Sequence, residues 1–273
     1  MTDLAKTFDL SGRTAIVTGG AGLLGTQFSR TLGAAGAAVL VADVSQERAD
    51  AVAEELRAAG GKAAGMVVDV TDPASMQAMV AGAVEQFGSA DVLVNSAALD
   101  PKFESDMRGK HSNAFEDYPL QNWQASLHVN LTGTFLATQA AVQQMLKQGS
   151  GVVVNICSTY GLAGPDQRIY QREGQPPEYK PVDYSVTKAG ILGFTRYLAA
   201  YYGDRNIRVN ALSPGGVYNQ HDEEFAQAYS ARAILGRMAN IDEMNGAMLF
   251  LCSDASSYMT GSNLIVDGGW TAW

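Results

Sequence analysis

The chain has 273 residues, 47% hydrophobic and 17% charged, with 29 glycines and two cysteines. That length buries a core without disulfide or metal staples, and the apolar fraction excludes wholesale disorder. Nineteen Lys and Arg against 28 Asp and Glu leave a net charge of −9, which repels phosphate backbones and anionic membranes, so neither nucleic acid nor a membrane is an expected partner.

Met1–Thr14 carries acids and no apolar h-region, so it does not read as a signal peptide. No apolar run approaches the roughly 20 residues that span a bilayer. Cys157 and Cys252 form no CxxC pair and read as buried small hydrophobes in a reducing compartment. The expected setting is the cytoplasm.

Short β-branched-rich apolar runs follow in order: Thr14–Thr18, Val39–Ala42, Gly65–Val68, Asp91–Asn95, Gly151–Ile156, Ile207–Leu212 and Asn263–Val266. None alternates polar with apolar, so the strands belong to a parallel sheet covered on both faces. Helical stretches separate them. Ser45 caps one that runs through Leu56 to Gly60-Gly61, and Asp72-Pro73 opens another that ends at Phe87-Gly88. Leu120–Gln148 contains one long helix, and Tyr184–Tyr202 is a further one. The alternation predicts a single α/β domain over 1–273, a doubly wound Rossmann-type fold with a seven-stranded, mainly parallel sheet flanked by helices. Two polar segments break the rhythm, at about 99–119 and 161–182, the second with four prolines. Both follow strands at their carboxyl ends, where such sheets bind ligands, and are expected to wall or cover a substrate pocket.

The first strand runs into Gly19-Gly20-Ala21-Gly22-Leu23-Leu24-Gly25, which opens a helix. Glycines there let backbone N–H groups of Gly19, Gly22, Leu23, Leu24 and Gly25 approach a pyrophosphate at the helix N-terminus. Asp43, with Val44 beside it, lies 18 positions after Gly25 at the end of the second strand. A carboxylate there accepts from a ribose diol and repels a 2′-phosphate, so NAD(H) is the expected cofactor. Arg48 is the nearest base, one helical turn on. Tyr184 and Lys188, at i and i+4, share one helix face. A fixed cation beside a phenol favours the phenolate, which can take a proton from an alcohol as hydride leaves.

With these residues in family order, the chain resembles the short-chain dehydrogenases/reductases over nearly its full length. The resemblance is carried by the TGGAGLLG turn, Asp43, Asp69-Val70, Asn95-Ser96-Ala97-Ala98, Asn130 within HVNLTGTF, Ser158, YSVTK, Ser213-Pro214-Gly215 and the C-terminal Gly261–Gly269. It implies that Tyr184 is the general acid/base and that Lys188 binds the nicotinamide ribose and depresses the tyrosine pKa. It also implies that Ser158 orients the substrate oxygen and that Asn130 holds a water of the proton relay. Asp69 and Val70 would touch adenine. Asn95, Ser96 and Ala97 would lie along the cofactor, and Pro214, Gly215, Val217 and Asn219 would border the nicotinamide.

Three features depart from the family pattern. Leu23 takes the middle glycine place, leaving a TGxxGxxG spacing closer to the extended branch, but no stretch here reads as that branch's extra C-terminal domain, so the ordinary single-domain branch is expected. The 25 residues between Ser158 and Tyr184 exceed the family's ordinary separation, and 161–182 is the insertion. Asn219 stands where a threonine is common.

The substrate pocket would be lined by the loop after Asn95, the 161–182 insertion and Tyr218–Ala233, drawing on Lys102, Arg108, Lys110, His111, Tyr160, Arg168, Tyr170, Arg172, Tyr179 and His221, with Arg168 or Arg172 gripping a carboxylate bidentately. The expected substrate is a small polyhydroxylated molecule, a sugar or sugar acid, oxidised at a secondary alcohol. Alternatives are a 3-oxoacyl-thioester or other ketone reductase, an epimerase or dehydratase with tightly held NAD, and a non-catalytic NAD(H) sensor. No residue spacing supports a metal site. The resemblance further implies a homotetramer or dimer through the two long helices and the last strand, with Tyr197, Tyr201, Tyr202, Trp270 and Trp273 as interface candidates.

Overall fold

The computed structural model describes residues 4–100 and 113–273. In chain order the elements are α1 (Leu4–Thr7), β1 (Thr14–Thr18), α2 (Leu23–Ala34), β2 (Ala38–Asp43), α3 (Gln46–Ala58), β3 (Ala63–Val67), α4 (Pro73–Phe87) and β4 (Val92–Asn95). Then come α5 (Leu120–Ser126), α6 (Thr134–Gln148), β5 (Gly151–Ile156), α7 (Val182–Tyr202), β6 (Ile207–Pro214), α8 (Glu223–Ser230), α9 (Asn245–Cys252) and β7 (Asn263–Val266).

The seven strands form one sheet in the order β3-β2-β1-β4-β5-β6-β7, and every pairing is parallel. Alternate residues feed opposite faces. Ala15, Val17, Val92, Val94, Val152 and Val154 pack with α2, α3 and α9. Ile16, Leu40, Leu93 and Val153 pack with α4, α6 and α7. Of the five inner strands, β1, β2, β4 and β5 are buried at every position and β6 at all but one. The edge strands β3 and β7 are only partly covered, because each has a hydrogen-bonded neighbour on one side alone.

The caps act as the sequence suggests. Ser45 Oγ accepts from the Arg48 N–H at 3.3 Å, Asp72 accepts from Ala74 N at 2.9 Å, and Gly88 closes α4 at φ +92°. The expected single helix over Leu120–Gln148 is different in one respect. It contains a π-helical stretch, Leu127–Gly133, between α5 and α6. The wide turn carries Asn130, and Gly133 approaches Val70 so closely that an added Cβ would sit 2.7 Å from its Cγ2.

From β1 the chain winds outward through β2 to β3, then crosses back to β4 on the other side of β1. That reversal opens a crevice at the carboxyl ends of β1 and β4. The segment 161–182 folds over the same end of the sheet and contributes a short 3₁₀ helix, Gln167–Tyr170, that buries Ile169 and Tyr170.

Candidate active site

A cleft of about 550 Å3 runs from the glycine turn to the amino end of α7. At one end it is lined by Gly19, Gly22, Leu23, Leu24, Gly25, Asp43, Val44, Asp69 and Val70, and then by Ser96 and Ala97. Gly25 is obligatory: a Cβ there would lie 2.0 Å from Gly19 O. Gly19 has φ +61°, and its own Cβ would meet Ala97 Cα at 2.8 Å. The turn is therefore pressed between α2 and the end of β4. Helix α2 begins at Gly22 with no side-chain cap, so its first N–H groups face the cleft without an intrahelical partner. These features fit a dinucleotide pyrophosphate.

Asp43 is 5% exposed and more committed than its sequence position suggests. Its Oδ2 accepts from Ala21 N at 3.2 Å, and its Oδ1 accepts from Ser45 N at 3.2 Å and Arg48 Nη2 at 2.8 Å. Arg48, on the first turn of α3, also lines the cleft. Asp69 accepts from the backbone and hydroxyl of Thr71, which holds its carboxyl below the usual range.

At the other end stand Ser158, Tyr160, Tyr170, Tyr184 and Lys188, with Pro214, Gly215, Val217 and Asn219 between. Burial pushes the Tyr184 phenol up, the Asp100 carboxylate adds to this, and a hydrogen bond with Ser158 opposes it. Burial also pulls the Lys188 ammonium down. Its Nζ donates to Ile156 O at 2.9 Å and stands 5.8 Å from the Tyr184 ring centre. Burial in the chain by itself therefore favours the neutral phenol. Such a phenol is a general acid toward a carbonyl oxygen and, once deprotonated, a base toward an alcohol.

One of the expected contact residues has its side chain turned elsewhere. The Asn95 amide points into the sheet, donating to Thr138 Oγ1 at 2.9 Å and Asn155 Oδ1 at 2.8 Å, away from the cleft lining. Asn130 clamps a backbone: its Oδ1 accepts from Leu99 N at 2.6 Å, and its Nδ2 donates to Leu99 O at 3.0 Å and Thr187 Oγ1 at 3.3 Å. That amide fastens the start of the 99–119 segment to α7, one turn from Tyr184.

Residues 20–271 match a family model described as enoyl-(acyl carrier protein) reductase. D-threitol dehydrogenase of Mycolicibacterium smegmatis is 34% identical over 269 residues, covering 97% of this chain and 95% of that protein. A short-chain type dehydrogenase/reductase from Mycobacterium marinum superposes with a TM-score of 0.86 at 31% identity, covering all of both chains. This chain belongs to the short-chain dehydrogenase/reductase family. It is an oxidoreductase of a nicotinamide-binding family. A gluconate 5-dehydrogenase from Burkholderia cenocepacia, solved with NADP and tartrate, superposes on this short-chain dehydrogenase/reductase with a TM-score of 0.87 at 29% identity, covering 99% and 100% of the two chains.

The substrate end of this family member differs from expectation. Arg168 is not in the cleft; Asp166 grips its guanidinium at 2.8 and 2.7 Å on the outer surface. Arg172 is held by Asp222 at 2.9 and 3.0 Å, so neither arginine presents a vacant fork. Sequence distance hid the second pairing, since Asp222 is 50 positions from Arg172. Lys102, Arg108, Lys110 and His111 lie outside the described residues.

What lines this end instead is aromatic. Tyr160 meets Tyr184 edge to face at 6.4 Å, Tyr229 stacks on Trp270 at 4.2 Å, and Phe225 packs on Tyr170 at 5.5 Å. The Tyr170 hydroxyl donates to that of Tyr160 at 2.9 Å. The sequence reading brings the stretch Tyr218–Ala233 to this pocket without singling out Phe225 or Tyr229, which only the amphipathic pattern of α8 marks. It also missed Lys180, whose ammonium lies over the Tyr184 ring. Among the described residues no group of three or more His, Cys, Asp and Glu converges as a metal site, and no helix is long and apolar enough to cross a membrane.

Proposed function

We propose that the protein interconverts a secondary alcohol and its ketone with NAD(H) as cofactor, the substrate being a small polyhydroxylated molecule such as a sugar or sugar acid. The observation that carries this reading is the continuity of one cleft, from an uncapped glycine turn to a partly buried tyrosine bonded to Ser158. Bound there, the nicotinamide supplies the hydride acceptor or donor. Ser158 orients the substrate oxygen, and Tyr184 takes the alcohol proton during oxidation or gives it back during reduction. Lys188 anchors the ribose and adds positive charge behind the phenol. Asn130 positions this group by tying α7 to the Leu99 backbone.

NAD is favoured because Asp43 is buried at the cleft wall, where a second negative group would be repelled. The aromatic wall suits the C–H face of a carbohydrate, and the similarity to a polyol dehydrogenase supports that class. A cytoplasmic setting belongs to the same reading and rests on two free, buried thiols, Cys157 and Cys252. So does self-association as a dimer or tetramer: Phe135, Tyr197 and Tyr201 stand 44%, 64% and 50% exposed on α6 and α7. Trp270 has a different place, buried against Tyr160 and Tyr229. Light scattering checks the assembly; a monomer at micromolar concentration would refute it.

The deciding experiment is NADH formation across a panel of polyols, sugar acids, steroids and acyl thioesters. Activity confined to the last two overturns the substrate class, and no activity with any alcohol overturns the dehydrogenase.

A further inference from the structure

Lys180 stands four residues before Tyr184, as Lys188 stands four after it. Only Lys188 shares the tyrosine's helix. Lys180 ends the 161–182 segment, just ahead of Pro181, which caps α7. Its side chain is 12% exposed, lines the cleft and sets its ammonium 4.1 Å from the Tyr184 ring centre. One side chain pins its backbone: Gln167 Oε1 accepts from Lys180 N at 2.9 Å, and Gln167 Nε2 donates to Lys180 O at 3.3 Å. Gln171 Nε2 braces the same strip by donating to Glu178 O at 2.6 Å. An ammonium held this way gives up little freedom when it takes a ligand.

Its ion-pair partner is the Asp100 carboxylate, which is half-exposed and comes from the other irregular segment. A partner so exposed is readily replaced by another carboxylate. We propose that Lys180 is the carboxylate-binding residue of the substrate site, and that the substrate is a hydroxy acid whose acid group displaces Asp100 while its secondary alcohol rests on Tyr184 and Ser158. This rests on the dehydrogenase reading and narrows it.

The charge distribution supports this assignment. Among the described residues at the substrate end of the cleft, the cations are Lys180 and Lys188. Lys188 already donates to Ile156 O. The two arginines of the insertion are occupied by Asp166 and by Asp222. An acid entering the cleft therefore meets Lys180. The geometry limits the carbon skeleton as well. The ammonium lies over the ring whose hydroxyl does the chemistry, so acid and carbinol groups are separated by a few carbons. Those carbons lie against Tyr160, Tyr170, Phe225 and Tyr229, a wall that accepts the C–H face of a ring or a folded chain.

The test is a calorimetric titration that needs no turnover. Cyclohexanecarboxylate, D-gluconate and the neutral cyclohexanecarboxamide are titrated into the wild-type chain and into Lys180→Met, Lys180→Arg and Asp100→Asn. At least one acid should bind wild type ten-fold or more tightly than the amide. Lys180→Met should erase that preference, and Lys180→Arg should restore most of it. Asp100→Asn should tighten acid binding several-fold, by removing the internal competitor, and leave the amide unchanged. The acid that gains distinguishes a carbocyclic from an open-chain skeleton. Equal binding of acids and amide by wild type, or no acid binding at all, overturns the proposal. So does an acid preference unaltered in Lys180→Met. Should Lys180→Met fail to fold, Asp100→Asn decides alone: no gain in acid affinity overturns the site. Acids that bind through Lys180 while no alcohol yields NADH would sink the dehydrogenase and leave this site standing. NADH from neutral alcohols with no acid preference would do the reverse.

Discussion

Around Gly19 and Gly25 the cleft wall is bare backbone; around Tyr160 and Tyr184 it is aromatic side chain. At the first end the fit is made by close approach, with added Cβ atoms at 2.0 Å from Gly19 O and 2.8 Å from Ala97 Cα. Neither glycine can be substituted without moving main chain. At the second end the turn after β5, the 161–182 segment, α7 and α8 lend the side chains, and the segment itself tolerates change. Gly164, for instance, has no atom within 4 Å of where a Cβ would go. A family can therefore keep one end constant and vary the other, which is how one chemistry serves many substrates.

The sharpest way to separate the two ends is Tyr184→Phe. Turnover should fall by about 10³-fold, within the usual range for a lost general acid/base. Titration with NADH should show cofactor binding nearly intact. Parallel loss of both would mean that the ends are not separable. Gly25→Ala should do the opposite kind of damage, costing about 2–3 kcal/mol of stability through overpacking and most of the cofactor affinity. Thermal melts and NADH titration read it, with Gly164→Ala as the unaffected control. Asp43→Ala comes next. It removes the acceptor of Ala21 N, Ser45 N and Arg48, and it should raise KM for NAD on the order of ten-fold while changing that for NADP little, since Arg48 is then free to meet a 2′-phosphate. Equal effects on the two cofactors would refute the role given to Asp43.

The smallest effect concerns pH. Asp100 raises the Tyr184 pKa. Alcohol oxidation needs the phenolate, so its rate rises with pH through that pKa. Asp100→Asn removes the negative charge and should move the rising limb to lower pH by up to about half a unit, the scale of one partly screened charge. A limb that stays in place would show that Asp100 does not act on the phenol.

The seven strands, the Ser45 and Asp72 caps and the glycine turn were legible in the sequence because each depends on neighbours within a few residues. Apolar runs choose a covered sheet, a serine before a helix chooses its cap, and a glycine spacing chooses a turn. The site was legible where its residues sit at strand ends or on one helix face, as Ser158, Tyr184 and Lys188 do. It was not legible where the partner is remote or the backbone locally departs from a regular helix. The direction of Asn95, the π turn that aims Asn130, and the pairing of Arg172 with Asp222 all arise from packing between elements.

The order of apolar and turn residues thus determined a parallel doubly wound sheet and where its crevice opens, since local propensity and patterning suffice for both. The tertiary structure alone decided which charges are left for a ligand. Asp100 and Lys180 are 80 positions apart, and whether a charge is paired or available depends on distances that only the folded chain sets.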